Sequence, residues 1–286
     1  MMKRFSWAIR RELWENRWIW IVPASVAAVL IVGFAAHALY RLPDQVAAIV
    51  DSVVSRHTHD ILLEPYDIVA GVMMGVGLII AIIYCVDALY GERRDRSVLL
   101  WKSLPVSDVE TVLAKLCIPT LVLPLIVWAL TVAVHVVMLV GSTAVLVAHG
   151  QSAAVLWSQV PLLPNAVGLL YHLVALHGIA SAPIYAWILL VSAWAPRAPL
   201  AWALLPPVAV GVLERLAFGT TRFAEMLIAP MGGRSGSTAT QARGMVALME
   251  PTMGRLLLSP AFWIGLAVAA LFVSGAVRLR RAAQPI

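Results

Sequence analysis

Apolar residues arrive in long, nearly unbroken runs along this chain, separated by short charged tracts. A helix needs about 20 mostly apolar residues to cross about 30 Å of hydrocarbon. Six runs reach that length, at about 18–40, 66–90, 116–147, 166–194, 199–217 and 259–277. The pattern predicts an all-α, polytopic integral membrane protein with six transmembrane helices. The third run is too long for one untilted span, and Pro119 and Pro124 are placed to kink it.

Ahead of the first run, residues 1–17 read as an amphipathic interfacial helix. Phe5, Ile9 and Leu13 share one stripe, Trp7, Trp14 and Trp18 another, with Lys3, Arg10 and Arg17 beside it. Such a helix lies in the headgroup layer, its basic groups near anionic lipid. Topology-setting charges with an aromatic belt would leave the same composition, so both readings stay open. The leader and Ala36-His37-Ala38 resemble a signal peptide, but a span-length apolar run reads as an uncleaved anchor.

Composition excludes whole classes. Of 286 residues, 61% are hydrophobic and 13% charged, with a mean hydropathy of +0.88. Soluble domains carry about 25% charged residues. A water-exposed globule, a disordered chain, a nucleic-acid-binding domain and a disulfide scaffold are all poor fits. Cys85 and Cys117 fall near span ends expected on the reducing side, where a disulfide is not expected.

Charge adds orientation. With the N-terminus inside, fourteen Lys and Arg fall in inner segments and seven in outer ones, as the positive-inside rule requires. Both termini are then cytoplasmic. Residues 91–115 form an inner loop and residues 218–258 a long outer one.

The 91–115 tract is the most distinctive. A charged exit (Gly91-Glu92-Arg93-Arg94-Asp95-Arg96-Ser97) leads to a short amphipathic segment. That segment breaks at Ser103-Leu104-Pro105, because the residue before proline is biased away from helix. Ser107 and Glu110 then form a capping-box pattern that starts the next helix. Leu99, Leu100, Trp101 and Leu104 would face a partner, or simply lipid headgroups.

Gly91–Ser97 followed by Trp101-Lys102-Ser103-Leu104-Pro105-Val106-Ser107 resembles the first cytoplasmic loop of type-2 ABC transporter permeases, the exporter-type membrane subunits. The interfacial helix, six spans and short second inner loop are similar over nearly the whole chain. The resemblance implies a coupling loop docking on a separate ABC ATPase subunit. Its contact residues would be Glu92, Arg93, Arg94, Leu99, Trp101, Ser103, Leu104, Pro105 and Ser107. It further implies a second permease copy or close paralogue, a bacterial inner membrane, and a pathway lined by the second and fifth spans.

Absences agree with that expectation. No Gly-x-x-x-x-Gly-Lys-Ser/Thr phosphate loop occurs, so ATP and magnesium are expected on the partner. No catalytic, cofactor or metal constellation is expected in the chain itself, nor a nucleic-acid partner; membrane lipid is the remaining one. His172 and His177, five residues apart, do not share an α-helical face well, and no carboxylate accompanies them.

Four further features bear on the spans. Gly71-x-x-x-Gly75 with Gly77 gives the second span a smooth face for an internal contact or a subunit interface. Asp87, near the inner interface, is expected to pair with Arg93 or Arg94, or with a helix across the dimer. Glu214 and Arg215 lie near the outer end of the fifth span. Pro206-Pro207 is expected to break that span's hydrogen-bond ladder. Two rival functions remain: a non-transporting membrane anchor or sensor subunit, and an intramembrane enzyme, for which no nucleophile–base constellation is recognisable.

Overall fold

The computed structural model describes residues 2–40, 56–95, 107–228 and 257–282. Every regular element among them is helical. In chain order these are α1 (Met2–Glu15), α2 (Trp18–Tyr40), α3 (Arg56–Asp87), α4 (Tyr90–Arg94) and α5 (Asp108–Cys117). A π-helical stretch, π1 (Ile118–Val122), then joins α5 to α6 (Leu123–Ala148). After α7 (Ala154–Gln159) come α8 (Leu162–Tyr171), a second π-helical stretch π2 (His172–Ala180), and α9 (Ala182–Trp194). The chain closes with α10 (Pro199–Phe218), α11 (Arg222–Ile228) and α12 (Pro260–Ala282).

Six helical stretches are long and apolar enough to cross a membrane. The chain is therefore a multi-pass, all-α membrane protein. Its long apolar side chains divide accordingly. Tyr84, Met73, Leu139 and Leu189 are buried among the helices, while Val29, Val32, Leu205 and Leu271 face outward, where lipid can cover them.

The third span is the longest. Asp108–Ala148 covers 41 residues, about 60 Å at 1.5 Å per residue, or about twice the hydrocarbon thickness. Its first ten residues form α5, packed against α1 and the second half of α12 and started by the capping box. The Ser107 hydroxyl accepts from the Glu110 amide at 3.1 Å, and the Glu110 carboxylate accepts from the Ser107 amide at 3.1 Å. Pro119 lies within π1 and Pro124 just after it, at the second residue of α6, where missing amide donors loosen the α-helical register.

The run at 166–194 is not one uniform helix. It starts at Leu162, passes through π2 and breaks at Ser181, whose hydroxyl donates back to the Leu176 carbonyl at 3.1 Å. Where π1 and π2 cross, Gly178 is packed so closely that a Cβ would lie 2.1 Å from the Thr120 carbonyl oxygen. Pro124, four residues on, has no amide to offer that oxygen. The absent side chain of Gly178 thus lets the two helices approach closely at that carbonyl.

Pro206 and Pro207 do not break α10, which runs through both. The carbonyl freed by Pro207 is that of Ala203, and the Trp187 indole of α9 donates to it at 3.0 Å. A side chain from the neighbouring helix replaces the lost donor, so the helix continues. Only Pro199 and Ala203 of its 20 residues are buried.

Candidate functional site

One end of the bundle gathers five elements around a buried ionic network. Glu12 is fixed on α1 one turn beyond Ala8, on the face that α1 turns toward α5. Its carboxylate accepts from the Tyr84 hydroxyl of α3 at 2.8 Å and from the Lys115 ammonium of α5 at 3.0 and 3.1 Å. Lys115 also pairs with Glu92 of α4 at 3.2 Å. Glu92 in turn pairs with Arg280 of α12 at 3.2 Å, and Arg280 reaches back to Asp108 at the start of α5. Arg11 completes the set, 3.0 Å from Glu12.

Three buried or half-buried acids therefore meet three bases, and a fourth, more exposed acid, Glu15, lies 3.4 Å from Arg11 at the edge of the cluster. Glu12 is 1% exposed, Lys115 3% and Arg280 4%, so each charge depends on its partners rather than on water. Burial alone would raise the Glu12 pKa. Lys115, Tyr84 and Arg11 outweigh that cost and hold it below the ordinary value of 4.5, because they stabilise the ionised form.

A second interlock joins the first inner loop to the fourth span. Between α3 and α4 the helix breaks, and Ser192 of α9 fills the break. Its hydroxyl donates to the Val86 carbonyl at 2.8 Å and accepts from the Leu89 and Tyr90 amides at 3.1 and 2.9 Å. Arg93 then donates to the Ser192 and Ala195 carbonyls at 2.9 and 2.7 Å. A guanidinium at a helix C-terminus satisfies carbonyls that have no helical donor and meets the negative end of the dipole. The turn after α9 is tight, with Ala198 in the left-handed region at φ 47°.

Of the residues expected on an ATPase-facing loop, Glu92 and Arg93 turn inward instead. The chain after the break folds back onto the bundle, where Lys115, Arg280 and the α9 carbonyls supply better partners than water. Arg94 is exposed and pairs with Asp95 at 3.0 Å and with Asp87 at 3.8 Å. Asp87 thus pairs with Arg94, not Arg93. Ser107 is exposed as the α5 cap. Leu99, Trp101, Ser103, Leu104 and Pro105 lie outside the described residues.

The membrane-embedded candidates separate. Gly71 and Gly75 have nothing within 4 Å of the Cβ position, so that pair faces away from the chain, whereas Gly77 meets Val127 at 3.0 Å. His172 and His177 do share a face, with ring centroids 5.1 Å apart. The π2 stretch bonds each residue to the fifth along rather than the fourth, which stacks positions that an α-helix would separate. Among the described residues no cluster of three or more His, Cys, Asp or Glu side chains can hold a metal. At the opposite end, Glu214 accepts from the Thr220 hydroxyl and from the Arg222 and Phe223 amides, capping α11.

Sequence reasoning overlooked Glu12, Tyr84 and Ser192, and treated Lys115 and Arg280 only as topology charges. An acid on the apolar face of α1 was the available signal. Its partners, 72 and 103 residues away, carry no pattern that spacing reveals. No protein-family model, curated protein or solved structure matches the chain, so its chemistry has to be argued from this geometry.

Proposed function

We propose that the chain is the membrane-spanning permease subunit of an ATP-driven exporter in a bacterial cytoplasmic membrane. It works as a pair with a second copy or close paralogue, on separate ABC ATPase subunits. One observation carries this reading. The segment 96–106 leaves from α4 and returns at Ser107, and both departure points are tied into buried polar contacts. Glu92 and Arg93 stand just before the segment; Asp108 and Lys115 stand just after it. A push on that segment is delivered to α1, α3, α5, α9 and α12 together rather than absorbed by a loose loop.

Two other features support the reading. The spine of α10 is almost wholly uncovered by its own chain, and the Gly71/Gly75 face of α3 is open. Two such chains, packed through these surfaces, would bury them and enclose a pathway. The subunit performs no covalent chemistry; ATP binding by the partner biases a two-state element.

The test is co-purification with the candidate ATPase subunit and ATP-dependent transport in vesicles, using wild type, Leu104→Asp and Trp101→Glu. Loss of the complex and of nucleotide-stimulated transport in both variants is expected. Full activity in both removes the coupling assignment. ATPase binding without any transport identifies a membrane anchor or sensor subunit instead.

A further inference from the structure

Beside the ionic network, an open groove of about 540 Å³ runs between α5 and the second half of α12. Leu113 and Leu116 form one wall; Leu266, Ala270 and Val273 form the other. At its end stand Arg278 and Arg281, both exposed. No acidic side chain lines it. Asp108 and Glu92 are held by Arg280. Glu110 is engaged in the Ser107 cap. Arg278 makes no ion pair among the described residues.

The dimensions match a lipid. From Leu266 to Val277 the α12 wall rises about 17 Å at 1.5 Å per residue, close to the depth of one leaflet, half of about 30 Å. With the apolar wall set in one leaflet, the two guanidiniums at its end would stand at the level of that leaflet's phosphates. Arginine offers several N–H donors to a phosphate oxygen and keeps its charge. We infer that this groove binds an anionic phospholipid, one acyl chain along α5 and α12 and the phosphate between Arg278 and Arg281. The lipid would then brace the two helices that hold Lys115 and Arg280.

Nanodiscs of phosphatidylcholine with and without phosphatidylglycerol, followed by native mass spectrometry of the released protein, provide the test. Wild type is expected to retain one phosphatidylglycerol per chain in preference to phosphatidylcholine. Arg278→Gln with Arg281→Gln should weaken that retention about thirtyfold, the loss of two surface charges. Ala270→Trp, which fills the groove and keeps both arginines, should also expel the lipid. Arg10→Gln, an exposed charge on α1, should not. Equal retention by wild type and the double arginine variant overturns the assignment, as does equal retention of the two lipids. Capture of a second copy of the chain, rather than lipid, by a photo-crosslinker at Leu113 also overturns it.

Discussion

Lys115 lies 3.0 Å from Glu12, joining the start of the third span to a helix that precedes the first. Both groups are almost wholly buried. Neither has a reason to leave water except the other and the hydrogen bonds around them. The pair turns α1 from a peripheral amphipathic helix into part of the bundle.

Removing one member should therefore cost more than removing both. Lys115→Met leaves Glu12 and Glu92 facing each other without their shared cation, and a stranded buried charge costs about 3–5 kcal/mol. Adding Glu12→Gln should return part of that loss. Unfolding curves in detergent for the two single variants and the double variant measure the coupling; strictly additive losses would contradict it.

The same carboxylate sets a pH response. Glu12 has a folded pKa below 4.5, so its stabilising contribution is complete above that value and disappears as pH falls through the lower folded one. The melting temperature of wild type should drop more steeply below pH 4.5 than that of Glu12→Gln, while both curves run parallel at neutral pH. Identical acid limbs would mean that Glu12 is not ionised against Lys115.

Glycines on the second and fourth spans should respond in opposite ways. Gly178→Ala places a methyl 2.1 Å from a backbone oxygen, and backbone has little freedom to retreat. A loss of about 2 kcal/mol or more follows, at the upper part of the range for overpacked cores. Gly71→Ala and Gly75→Ala meet open space and should leave the melting of the single chain unchanged within about 0.5 kcal/mol. Bulkier Gly71→Leu and Gly75→Leu should weaken self-association, read by crosslinking in membranes.

Ser192→Ala removes the hydroxyl that serves Val86, Leu89 and Tyr90 at the break between α3 and α4. Each buried amide left without an acceptor costs about 1–3 kcal/mol. Hydrogen exchange at the Leu89 and Tyr90 amides should accelerate, with exchange in α6 unchanged. Protection equal to wild type would show that another group fills the break.

The periodic part of this architecture was legible in the amino-acid order. Trp18–Tyr40 matches the first apolar run residue for residue, and the Ser107–Glu110 cap stands where its pattern put it. Apolar length and capping chemistry are local, so a reader needs only neighbouring residues. The polar cluster is not local. Tyr84, Glu92, Lys115 and Arg280 read individually as an aromatic or a charge near a span end, and only the packing of α1, α5 and α12 makes them one site. The two π-helical stretches were equally hidden. Proline explains π1 after the fact, but no residue in 172–180 announces that His172 will lie beside His177.

The position of Glu12 along the polypeptide has a temporal meaning as well. Synthesis proceeds from the N-terminus, and the ammonium that neutralises this carboxylate is made 103 residues later. Until then the acid of the first helix has Arg11 beside it on the same helix but lacks its buried cation, so that helix is expected to wait at the aqueous edge while two spans are threaded ahead of its docking. Locking of the amino end thus reports that the third span has arrived, and a chain truncated before Lys115 would leave that end untethered.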